Sequence, residues 1–137
     1  MSTPYCTAVR LRRREVDALR EAIAEAGTQL ATLDRRTAEL RRTVAVERRL
    51  AANFGALPDD LYFRRMRLEH DRLVGQRAAA ERELERLRDD ARETFAALRT
   101  LEEAAERHWS EEQRLIANAE QSAADDRAAA VFARTSA

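Results

Sequence analysis

Asn53-Phe54-Gly55-Ala56-Leu57-Pro58-Asp59-Asp60 is the stretch that decides how this chain folds. It brings the mid-chain proline and a glycine within four positions of each other, between two long stretches with few helix breakers. Gly55 suits the left-handed residue that ends a helix. Pro58 has no N–H to continue one, and Asp59 or Asp60 can cap the next helix while opposing its dipole. A turn over about 53–60 is the expectation.

Upstream of the turn, Val9, Val16, Ile23, Leu30, Thr37, Val44 and Ala51 recur every seven residues. Leu19, Ala26, Leu33 and Leu40 fall three after the middle members, and the second series is interrupted by Arg12 and Glu47. This is the a/d seam of a coiled coil, and it predicts one helix over about 5–52, with Gly27 a tolerated weak point. Downstream, Phe63, Met66, Leu73, Ala80, Leu84, Leu87, Ala91, Leu98, Leu101, Ala105 and Leu115 resume the frame. Arg77, Thr94 and His108 are its polar interruptions, and Phe95, Trp109 and Ile116 sit one step off, widening the stripe. The second helix is expected over about 60–130. Residues 121–137 are Ala-rich with little seam, and Arg134 to Ala137 are expected to fray.

Two seams joined by a short turn pack antiparallel. The expected fold is therefore all-α, a single coiled-coil hairpin over 1–137 with the second helix longer. Pairing a with d positions makes partner numbers add to about 110 or about 117, which sets Leu30 against Ala80 or against Leu87. The sequence leaves both registers open. In either, helix 1 ends opposite roughly residue 105 to 110, and at ~1.5 Å per residue the paired section is about 65 to 70 Å long. An elongated monomer or weak dimer follows, with the far end of helix 2 uncovered.

Composition agrees with a thin seam. Ala, Arg, Glu and Leu supply 84 of 137 residues, there is no Lys, and seven residues are aromatic, so a thick core is not expected. The single Cys6 closes no disulfide within the chain and fits a reducing compartment. No apolar run suggests a signal peptide or a membrane span, which points to the cytoplasm. Total charge is zero, but residues 1–67 hold 14 Arg against 9 acids, and 68–137 hold 11 against 16. The halves attract one another when folded back, or the basic half meets an acidic partner through Arg35-Arg36, Arg41-Arg42, Arg48-Arg49 and Arg64-Arg65. Nucleic acid is not the expected partner, because a neutral chain poor in aromatic residues has neither the basic footprint nor the stacking rings.

Nothing in the sequence reads as an enzyme. There is no Gly-rich phosphate loop, no lysine, and one seam offers no water-excluded pocket. His108 with Glu111 and Glu112 shares a helix face but lacks a second set of metal ligands, and His70 reads as a polar seam residue. No cofactor or metal is expected. Trp109, Leu115, Ile116, Val131 and Phe132 lie beyond the reach expected of helix 1. Their cover would be a partner, a second copy, or helix 1 in another register.

Leu11-Arg-Arg-Arg-Glu-Val-Asp-Ala-Leu-Arg20 opens the first helix; a mid-chain turn and a longer Arg/Glu-rich second helix with an Ala-rich end follow. This plan resembles the flagellar type III export protein FliJ family and its injectisome counterparts, over nearly the whole chain. The resemblance implies a non-enzymatic central stalk that links a hexameric export ATPase to the membrane export gate and handles export chaperones. It implies a gate contact near the turn, at Phe54, Tyr62, Phe63 and Met66. It places the chain ends in the ATPase ring, near Arg10, Arg12, Arg13, Arg14 and Trp109, with Ile116 beside them on the uncovered stripe. The location implied is cytoplasmic and peripheral at the inner face of the membrane. The absence of Lys departs from many members of the family. A generic coiled-coil scaffold or cytoplasmic chaperone with no link to an ATPase is the competing expectation.

Overall fold

The computed structural model describes residues 4–55 and 60–136. It is an all-α helical hairpin with two helices, α1 over Cys6–Asn53 and α2 over Asp60–Thr135. The chain divides into two compact units, Met1–Glu15 with Thr94–Ala137 and Val16–Glu93.

In the unit Val16–Glu93, α1 stops as the turn chemistry requires. The Phe54 N–H donates to the Leu50 carbonyl at 3.0 Å, and Gly55 then takes a φ of +64°, a conformation that strains any residue with a Cβ. Pro58 and Asp59 lie outside the described residues. Asp60 opens α2 as the acidic residue of its first turn, where it opposes the helix dipole.

The seam positions read from the sequence are the shielded ones. Val16, Ala26, Thr37, Leu73 and Leu84 are buried, whereas Ile23, Leu30, Leu33, Leu40, Val44, Phe63, Met66, Ala80 and Leu87 are half-buried. Glu47, the expected interruption, is exposed. Thr37 is tolerated in the seam because its Oγ1 donates to the Leu33 carbonyl at 2.9 Å, leaving no unpaired hydroxyl. Register follows from contacts across the hairpin. Arg77 Nε donates to Asp34 Oδ1 at 2.5 Å, and the Arg48 guanidinium lies 5.5 Å from the centre of the Phe63 ring. These partner numbers add to 111, which selects the register that sets Leu30 against Ala80. The hydrogen bond from Asp34 and the charges of Asp34 and Glu81 raise the Arg77 pKa above its already high value.

In the other unit, the start of α1 lies against α2 around residue 105. The Tyr5 and His108 rings meet edge to face, 6.0 Å apart, and Arg13 donates to Glu102 Oε1 from Nε at 3.0 Å and Nη2 at 2.8 Å. Leu98 is buried, and Leu101, Ala105 and His108 are half-buried. Arg12 faces solvent and pairs with Glu15 of its own helix. Leu115, expected on the seam, is 65% exposed and lies beyond the groove that Cys6 of α1 and Trp109 line. Every residue from 109 to 136 is exposed.

The expected fraying covers Arg134 to Ala137, of which Ala137 lies outside the described residues and Ser136 follows the helix end. α2 continues through Thr135, whose Oγ1 donates back to the Val131 and Phe132 carbonyls, and the Ser136 N–H donates to Phe132. High alanine propensity carries the helix where no seam does. Among the described residues, no helix is long and apolar enough to cross a membrane.

Candidate functional site

Two surfaces gather the residues singled out above, one in each unit. The first is the part of Val16–Glu93 nearest the turn. Leu40, Val44, Phe63 and Met66 floor a cleft of about 220 Å³, with Arg41, Arg48, Arg67 and His70 on its walls. Pockets that enclose a small ligand usually hold about 300 to 1,000 Å³ and cover most of it, so this cleft suits a protruding side chain better than a substrate. Phe63 and Met66 serve the seam with one edge and the cleft with the other. Tyr62 meets Phe63 edge to face at 5.3 Å, and Arg48 covers the same Phe63 ring. Phe54 stands apart from this cluster, 80% exposed. The structure thus joins Tyr62, Phe63 and Met66 and leaves Phe54 alone on the surface.

Charge distinguishes this surface. Among the described residues, none of Arg35, Arg36, Arg41, Arg42, Arg48, Arg49, Arg64, Arg65 and Arg67 forms an ion pair. Several acids of α2 are engaged within α2 instead. Glu83 and Asp90 both hold Arg86, Asp89 and Glu85 hold Arg92, and Glu103 lies near Arg99. The bond from Arg86 holds the Glu83 carboxyl below the usual carboxylate range and raises the arginine in turn. Attraction between a basic half and an acidic half therefore does not neutralise the arginines near the turn. Pairs at i,i+3 and i,i+4 form locally as the helix forms, and they take up the acids first. Val46, Leu50, Leu61 and Leu68 are exposed around the same arginines, at 45 to 65%. Sequence reasoning missed these four, since all lie off the a/d frame.

The second surface lies where α1 begins. Cys6, Val9, Arg10 and Arg13 of α1 and Glu102, Ala105, Glu106 and Trp109 of α2 line an open groove of about 590 Å³. Of the residues expected to meet a partner at the chain ends, the structure brings Arg10, Arg13 and Trp109 together. Arg12 is tied to Glu15, Arg14 does not line the groove, and Ile116 stands two turns farther along α2. Arg13 is already committed to Glu102, which leaves Arg10 as the groove's available cation. Trp109 is exposed, as expected of a residue at the end of the reach of α1, though at 38% it is the least exposed of the large apolar residues from 109 onward, and it lines the groove together with Cys6 and Val9. His108, beside it, has a buried Nδ1 with no hydrogen-bond partner and packs on Tyr5.

No family model, no curated protein and no solved structure matches the chain.

Among the described residues, no group of three or more His, Cys, Asp or Glu side chains is placed to hold a metal ion. His108 faces Tyr5 and does not converge with Glu111 and Glu112. What the two surfaces offer is recognition chemistry: guanidinium forks that can grip carboxylates, with exposed aliphatic and aromatic side chains beside them.

Proposed function

We propose that this chain is a non-enzymatic stalk or adaptor of a bacterial flagellar type III protein export apparatus. In this reading it links the export ATPase ring to the export gate and handles export chaperones, in the cytoplasm and peripherally at the inner face of the membrane. The observation that carries the reading is the unequal length of the helices. α1 ends its pairing at Tyr5 and Cys6, opposite His108 and Trp109, while α2 continues uncovered to Thr135. A helix extended beyond its hairpin partner is the shape needed to enter a ring, and the Arg10 and Trp109 groove at its base supplies a cationic and aromatic anchor. Near the turn, the nine arginines that form no ion pair among the described residues, the Phe63 cleft and exposed Phe54 suit an acidic, partly apolar partner such as a gate subunit.

The test is recovery of the tagged full chain from its own cell under mild conditions. The stalk reading expects an export ATPase and a gate subunit to be retained. It also expects Arg10→Glu to release the ATPase selectively, and Phe54→Ala with Arg48→Glu to release the gate subunit. Recovery of unrelated clients with neither component would overturn the stalk and favour a generic coiled-coil scaffold or chaperone.

A further inference from the structure

The uncovered end of α2 is complementary to itself, and we propose that it pairs antiparallel with the same segment of a second copy of this chain. On a helix turning 3.6 residues at a time, Ile116, Glu120, Ala123, Ala124, Arg127 and Val131 share one face, flanked by Ala117 and Ala130. All are exposed, Ile116 at 47% and Val131 at 59%. The face is arranged symmetrically about the point between Ala123 and Ala124. A two-fold axis there sets Ile116 against Val131 of the second copy, Ala117 against Ala130, and Glu120 against Arg127.

Each contact occurs twice, as an isologous interface requires. The central alanines let the two backbones approach closely, and the aliphatic pairs seal either end. Charge selects the direction. In a parallel pair Glu120 would face Glu120 and Arg127 would face Arg127, whereas the antiparallel pair turns both repulsions into ion pairs. Among the described residues neither side chain forms an ion pair, so none must be broken; Arg127 Nε donates to the Ala123 carbonyl of its own helix at 3.1 Å, which leaves the rest of its guanidinium to reach across. The geometry also permits it. The paired stretch from Ile116 to Val131 spans roughly 24 Å, and it begins beyond the groove at Trp109, so the start of α1 is not in the way. Leu115 and Phe132 point away from this face and take no part.

An interface this short falls at the low end of those that hold two proteins together, so the dimer is a weak and reversible one. It covers Ile116, and a copy that is paired cannot offer that side chain to any other partner. The inference rests on the overhang alone and stands or falls independently of the stalk reading.

Sedimentation equilibrium of the purified full chain, from micromolar to several hundred micromolar, tests it. The wild type should pass from monomer to dimer across that range. Glu120→Arg alone and Arg127→Glu alone should each weaken dimerisation tenfold or more. An equimolar mixture of the two variants should regain it as a heterodimer, because one then carries two arginines where the other carries two glutamates. The double variant should regain it as a homodimer. Circular dichroism of each variant verifies that α2 remains helical. A chain monomeric throughout the range would overturn the proposal. So would a dimer indifferent to both reversals, or single variants whose mixture does not associate.

Discussion

His108 illustrates how a heptad position can be filled at a cost. It occupies the seam frame and is half-buried against Tyr5, yet its Nδ1 has no hydrogen-bond partner. An unmet polar atom in such a place costs about 1 to 3 kcal/mol, more than the ring contact returns. His108→Leu should therefore raise the melting temperature by a few degrees, which thermal unfolding followed at 222 nm would register; a fall would show that the imidazole holds the helix pair together there. Thr37 is the opposite case, a polar seam residue whose hydroxyl is satisfied within its own helix. Both residues were legible as interruptions of the frame. Which of them would find a partner was not, because that depends on the neighbouring turn of helix and on what the other helix brings opposite.

At the scale of the elements, helix bounds came through the sequence well because breakers and heptads act locally. Gly55 ends α1, and the seam from Phe63 onward defines α2. Register did not come through, since a pattern that repeats every seven residues fits equally well one heptad along. Two cross-hairpin contacts, Asp34 with Arg77 and Arg48 with Phe63, separate the alternatives. Trp109, one step off the frame, lines a groove with Cys6 and Val9 of α1, whereas Ile116 lies beyond it. Two substitutions in the same helix should accordingly behave differently. Trp109→Ala removes a side chain that lines the groove with α1 and should lower the melting temperature by a few degrees, whereas Ile116→Ala, beyond that groove, should leave it nearly unchanged while weakening association with a partner or a second copy. Thermal unfolding of the two variants side by side checks this. Equal losses of stability would mean that α1 or another part of the chain covers Ile116 as well.

For the whole molecule, net charge of zero conceals an uneven arrangement. Several carboxylates of α2, among them Glu83, Glu85, Asp89 and Asp90, are engaged by arginines of α2, and among the described residues the arginines of α1 near the turn form no ion pairs. The division of the sequence into a basic and an acidic half was readable. Its consequence was not, because competition between local and cross-hairpin pairs is settled only when both helices are in place. The same holds for the apolar side chains off the frame, which pattern reading assigns to neither core nor surface site. The account of the chain as a hairpin that leaves an uncovered helical end for other chains is tested most directly by amide hydrogen exchange resolved along the sequence, on the full protein at low micromolar concentration. It predicts slow exchange through 16–50 and 62–105 and exchange faster by orders of magnitude from 112 to 135, where only local helix opening opposes it. Protection of 112–135 equal to that of the seam, at a concentration where the chain is monomeric, would contradict it.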